Sequence, residues 1–183
     1  MTKMYSYDYI SPVGVLKIEG EDQYLTGISY RDSEWNREEI RVNYSEDIFF
    51  TENNFPVNSK VLTETIAWLE DYFAGGIPQK KPPVKYCGSE FAREVYSTLE
   101  QIPYGKTITY GEIADQIARK RGGRMSAQAV GNAVGKNPIA IMIPCHRVMG
   151  KKGKLTGYHG GIKRKEYLLE MENVRKGFLF PVP

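Results

Sequence analysis

The run Pro144-Cys145-His146-Arg147-Val148 sets a thiol beside an imidazole. Thiolate, not thiol, is the nucleophile, and a free cysteine near pKa ~8.5 is mostly protonated at neutral pH, so Cys145 needs a base. His146 is one candidate. Adjacent residues of an extended strand point to opposite faces, so contact requires a turn or a bridging water. A carboxylate that orients the imidazole would complete a Cys/His/acid relay. Lys165, Leu168, Leu169 and Glu172 share one helical face by their spacing, which can turn Glu172 inward; a solvated glutamate is the alternative. On its own, a Cys-His dipeptide is more often structural than catalytic. The cysteines Cys87 and Cys145 and the histidines His146 and His159 form no CxxC or HxxxH pair, so two free thiols and no metal site are expected.

Those residues need elements to hold them. Ile139-Ala140-Ile141-Met142-Ile143 is a short apolar run consistent with a buried strand that delivers Cys145 at its end. Upstream, Ser89 can cap a helix with the face Phe91, Val95, Leu99 and Ile102, stopped by Pro103-Tyr104-Gly105. Thr109-Tyr110-Gly111-Glu112 has capping-box spacing and opens a helix through Ile113, Ile117 and Ala118. A basic turn, Arg119 to Arg124, follows, and Ser126 can cap a helix over 127–135 before Asn137-Pro138 prevents continuation. Helix, glycine-containing turn and helix give a helix-turn-helix outline, common in small α domains. Ala127, Ala129, Gly131, Ala133 and Gly135 leave the second helix with little bulk, suited to close approach to another surface or to the protein's own core. A last helix spans about Ile162 to Val174.

The first 30 residues instead read as strands. Tyr5, Tyr7 and Tyr9 alternate, Ser11-Pro12-Val13-Gly14 is a turn, and Val15–Ile18 and Leu25–Tyr30 follow as an antiparallel meander. A helix covers Ser59 to Phe73, and Gly75 to Lys85 reads as a linker. The expected fold is α+β: an N-terminal antiparallel sheet with a helix over 1–85, then a mainly helical C-terminal domain over 86–183 with the helix-turn-helix and a short active-site strand. Residues 1–85 carry 9 Lys+Arg against 14 Asp+Glu, a net −5, whereas 86–183 carry 16 against 8, a net +8. A basic half of this kind suits a polyanion. No apolar run approaches the roughly 20 residues of a membrane span, and the N-terminus lacks a signal peptide's apolar stretch, so a cytoplasmic protein without a membrane partner is expected.

Ile143-Pro144-Cys145-His146-Arg147-Val148 resembles the active-site signature of O6-alkylguanine-DNA alkyltransferases, the methylated-DNA–protein-cysteine methyltransferases. Similar blocks stand in family order at Ile102-Pro103-Tyr104-Gly105, Thr109-Tyr110, Ala129-Val130-Gly131, Asn137-Pro138, Gly157-Tyr158-His159-Gly160-Gly161 and Lys165-Glu166-Tyr167-Leu168-Leu169, spanning nearly all of 89 to 172. The resemblance implies DNA repair by irreversible, single-turnover transfer of an alkyl group from O6-alkylguanine, or O4-alkylthymine, to Cys145, with no cofactor. It implies His146 as water-mediated base, Glu172 as the acid orienting it, and Asn137 as a brace between recognition helix and active-site strand. Tyr110 would donate a proton to the base ring and help extrude the nucleotide. Tyr158 would stack on the flipped base, with the backbone of His159 and Gly160 and the carbonyl of Val148 contacting it. Arg124, Ser126, Ala127, Gln128, Ala129 and Gly131 would meet double-stranded DNA through the minor groove, the protein acting as a monomer, nuclear if the source is a eukaryote.

Two departures stand out. His159 replaces the usual small residue and narrows the pocket, and Gln128 stands where most members carry an arginine finger, for which weaker DNA affinity or a shallower salt dependence is expected. The rival reading is a non-catalytic sensor of alkylated bases, but alkyltransferase-like sensors carry tryptophan where this chain has Cys145.

Overall fold

The computed structural model describes residues 3–32, 35 and 59–174. The chain divides into two compact units, Met1–Tyr86 and Cys87–Pro183.

In the first unit, β1 (Met4–Ser11), β2 (Gly14–Glu21) and β3 (Tyr24–Tyr30) form an antiparallel meander in that order. Tyr7 pairs with Ile18, and Ile18 with Ile28, so the period-2 pattern puts Leu16, Ile18, Leu25 and Ile28 on one buried face. On that face lies α1 (Lys60–Phe73), whose buried Val61, Leu62, Ile66 and Leu69 recur at helical spacing. Each such side chain contributes about 1.5–3 kcal/mol on leaving water. The approach is close: a Cβ on Gly20 would stand 2.9 Å from Val61 Cγ1. The expected linker is only partly one. Its Pro83–Lys85 end adds to β3, with Leu25 N–H donating to Pro83 O at 2.8 Å and Lys85 N–H to Leu25 O at 2.9 Å. Those backbone groups would otherwise face the open edge of β3.

The second unit runs α2 (Glu90–Leu99), β4 (Ile108–Thr109), α3 (Tyr110–Arg121), α4 (Ala127–Val134), a 3₁₀ turn at Cys145–Arg147, β5 (Val148–Met149), a 3₁₀ turn at Lys151–Gly153, and α5 (Ile162–Met171). The caps are those the side chains announce. Ser89 Oγ accepts from Ala92 N–H, Thr109 and Glu112 close a full capping box, and Ser126 Oγ accepts from Gln128 N–H. Gly122, left-handed at φ 71°, ends α3 and turns the chain toward α4. Val95 and Leu99 of α2, Ile113 and Ile117 of α3, and Val130 and Val134 of α4 are buried, and the three helices pack on one another.

Three boundaries differ from expectation. Ile139–Ile143 is no strand but a buried turn: Met142 N–H donates to Ala140 O at 2.8 Å and Ile143 N–H to Ile139 O at 3.1 Å, with Ile141 left-handed at φ 69°. Apolar residues announce burial, and burial is equally served by a strand or a self-bonded turn. The short strand lies after the cysteine instead, β5 pairing in parallel with β4. The last helix stops at Met171, and left-handed Asn173 at φ 58° prevents its reaching Val174. Among the described residues no helix is long and apolar enough to cross a membrane.

Candidate active site

Cys145 is buried at the start of its 3₁₀ turn, and one side chain organises the approach to it. Asn137 Nδ2 donates to Ile143 O at 2.8 Å, to Ile139 O at 3.3 Å and to Cys145 Sγ at 3.0 Å, while its Oδ1 accepts from Ile139 N–H at 3.1 Å. The amide does for the turn what a neighbouring strand would have done, and its reach to sulfur makes it more than the brace expected of it. Burial pushes the Cys145 thiol up, against the lowering effects of Asn137, the Lys165 ammonium and the backbone N–H groups of Cys145 and His146. The thiol rests protonated at neutral pH, so to act as a nucleophile it must give up its proton to a base.

The neighbouring His146 is held by Glu172. Its Oε1 stands 2.7 Å from His146 Nε2, and both side chains are fully buried. Hydrogen bonds from His146 and Arg147 and the charge of the Arg147 guanidinium overcome the upward push of burial and hold the Glu172 carboxyl well below the usual carboxylate range. Ionised, it can only accept, so Nε2 carries the hydrogen and Nδ1 keeps its lone pair. Burial lowers the His146 pKa more than Glu172 raises it, so the imidazole is neutral. A neutral imidazole with Nδ1 as acceptor is the form a general base requires. A 3₁₀ turn, not an extended strand, carries the step from Cys145 to His146.

Arg147, which the sequence presents only as part of the Cys-His signature, grips the same carboxylate. Its Nε donates to Glu172 Oε2 at 2.8 Å, Nη2 to Oε1 at 2.9 Å, and Nη1 to Ile102 O at 2.7 Å. Gly105 N–H adds a bond to Oε2 at 3.2 Å. Gly105 has φ 69°, and a Cβ there would lie 2.9 Å from Glu172 O. Gly105→Ala is expected to lower unfolding free energy by roughly 1–3 kcal/mol, measured by urea denaturation; a change within 0.5 kcal/mol, about the scatter of surface substitutions, would show that this contact does not constrain Glu172.

Around Cys145 lies a cavity of about 210 Å³ walled by Tyr110, Gly131, Tyr158 and His159. Tyr110 opens α3, and its hydroxyl donates to Gly157 O at 3.4 Å. Burial raises its pKa, against a hydrogen bond with Thr156, so the phenol stays protonated and able to donate. Val148 and Gly160 are buried and lie outside the wall. The Val148 carbonyl accepts from Lys165 Nζ at 2.5 Å, and that of Gly160 from Arg164 Nη1 at 3.0 Å. Lys165 also reaches Thr156 O at 2.8 Å, and burial brings it down to about 8. It is a functional candidate that spacing alone assigns merely to a helix face; a lysine on the face that also carries Leu168 and Leu169 was the available signal.

Tyr110 and Gly131 are shared with a wider groove of about 800 Å³, walled also by Ala127, Gln128, Lys151 and Lys152. Gly131 faces inward, an added Cβ standing 3.8 Å from the Tyr110 ring. Ala129 is half-buried beside this wall; exposed Ser126, occupied as the cap of α4, and exposed Arg124 lie outside it.

Residues 90–174 match the family described as 6-O-methylguanine DNA methyltransferase, DNA binding domain. A methylated-DNA–protein-cysteine methyltransferase of Mycolicibacterium paratuberculosis is 42% identical over 162 residues, 88% of each chain. The crystal structure of Mycobacterium tuberculosis O6-methylguanine methyltransferase superposes with a TM-score of 0.71 at 35% identity, covering 99% of this chain and 97% of that one. That of Mycobacterium tuberculosis OGT in complex with DNA gives 0.69 at 36% identity, covering 97% and 95%. The agreement extends over both units, well beyond the cysteine signature. The chain belongs to the methylated-DNA–protein-cysteine methyltransferase family.

Proposed function

We propose that Cys145 accepts the alkyl group of O6-alkylguanine extruded from double-stranded DNA, in a single irreversible event. The observation that carries this reading is the convergence of Cys145, Tyr110 and Tyr158 on one small cavity opening beside α4. An aromatic wall stacks on an extruded base for about 1–3 kcal/mol, comparable to the cost of unstacking it.

The thiol proton passes to Nδ1 of neutral His146 through a bridging water, and Glu172 stabilises the resulting imidazolium. Sulfur attacks the alkyl carbon in line; the S–C bond forms as the C–O6 bond breaks, its electron pair leaving with the base. Tyr110 protonates the base ring as it departs. The thioether has no leaving group that water or another side chain can displace, so each molecule acts once. The exposed start of α4 enters the minor groove, with Gln128 at the gap left by the extruded nucleotide, where it offers hydrogen bonds without charge. O4-alkylthymine presents the same alkyl carbon to the sulfur. One chain supplies every group, so the protein acts as a monomer.

The test is a mass spectrum after incubation with O6-methylguanine DNA. The peptide holding Cys145 is expected to gain about 14 Da, one methyl replacing one hydrogen. No gain, or a gain on Cys87, sinks the assignment.

A further inference from the structure

The described part of the second unit carries more cationic groups than its ion pairs use, and two of them have a distinctive setting. Lys151 and Lys152 are exposed on the 3₁₀ turn between β5 and α5, and both wall the wide groove together with Ala127 and Gln128 of α4. The turn is tightly made. Gly150 N–H donates to Lys154 O at 2.7 Å, Gly153 is left-handed at φ 73°, and Lys152 itself sits at φ 60°, ψ 30°. A lysine in that region is uncommon, because its Cβ crowds the following carbonyl, where glycine or asparagine would sit with less strain. The groove shares Tyr110 and Gly131 with the small cavity around Cys145. The groove thus adjoins the small cavity, and a nucleotide whose base fills the cavity has the groove, walled by α4 and this turn, beside it for its sugar-phosphate backbone.

We infer that Lys151 and Lys152 form a phosphate clamp on the damaged strand, holding the backbone that flanks the extruded nucleotide against α4. The inference rests on the small cavity being the pocket of that nucleotide. Gln128 brings no charge to the groove, so the attraction for the strand comes from Lys151 and Lys152, the cationic residues that wall it. Contacts of this kind act on phosphates and not on base edges, so they hold any sequence, and they fix where the strand lies without touching the reacting atoms.

The test compares two double variants of equal charge loss. Lys151→Gln/Lys152→Asn removes the clamp, asparagine being at ease in the left-handed conformation, while Lys154→Gln/Lys163→Gln removes two exposed charges that do not wall the groove. Affinity for a duplex carrying O6-methylguanine is measured by fluorescence anisotropy across a salt series, with thermal unfolding to show that both variants are folded. Each phosphate contact contributes about 0.9 to the slope of log K against log salt, so the first variant is expected to lose about 2 in slope and the second less than about 0.5. An unchanged slope in the first variant, or equal losses in both, overturns the clamp. Methyl transfer from free O6-methylguanine base, followed by mass, separates this from the reading it rests on. A clamp variant that binds DNA weakly yet is methylated by the base supports the clamp. An unsubstituted protein never methylated, by DNA or by base, refutes the transfer reading while the salt slopes still decide the clamp.

Discussion

Glu172→Gln is expected to destabilise the second unit by about 3–5 kcal/mol, a large share of the roughly 5–15 kcal/mol a domain has in total. The carboxylate accepts from His146, twice from Arg147 and once from Gly105, all of it buried. The amide cannot accept on both ends, and it leaves the Arg147 guanidinium without its counter-charge. The pH dependence has a definite sign. The folded Glu172 pKa lies below the unfolded value of about 4.3, so its contribution is full above that value and fades as pH falls through and below it. Urea denaturation at several pH values should show the original protein losing stability on the acid side more steeply than the variant. Transfer at saturating DNA should slow by more than tenfold, because His146 loses the carboxylate that sets its tautomer and stabilises its charged form, with DNA affinity within about twofold. A variant as stable as the original, or one whose binding falls as far as its transfer rate, would contradict the relay.

Cys145→Ala has the largest expected effect on activity: no methyl transfer at any enzyme excess, with binding to O6-methylguanine DNA retained. The separation is possible because sulfur is not what holds the site together. Asn137 keeps Ile143 O and Ile139 O as acceptors when Sγ is gone, and Tyr110 and Tyr158 still wall the cavity. The missing sulfur leaves a space smaller than one side chain, for which a loss of about 1–2 kcal/mol is expected. Gel shifts on lesion-bearing and undamaged duplexes, beside the mass measurement, check both halves. Loss of binding together with transfer would mean that the thiol is structural.

Much of the fold was legible because local chemistry determines it. Ser89, Thr109 with Glu112, and Ser126 each cap the helix they announce, since a side-chain oxygen satisfying orphan amides needs only its own three or four neighbours. The alternation in β1 to β3 and the helical spacing in α1 were likewise readable, because burial on one face leaves a period. The Ile139–Ile143 turn was not. Its backbone is satisfied by itself and by Asn137, and a uniformly apolar run carries no period to separate that outcome from a strand.

By itself, then, the sequence determined the residue types of the relay, the blocks that place Cys145 in its family, and the elements that carry them. What only the tertiary structure decided is who pairs with whom. That Arg147 and His146 share Glu172, and that Lys165 reaches the carbonyls of Val148 and Thr156, join residues from separate elements. The reason is electrostatic. A buried charge is tolerated only beside its partner, and sequence shows that a charge falls on an inward face without showing which distant partner the packing will bring to it.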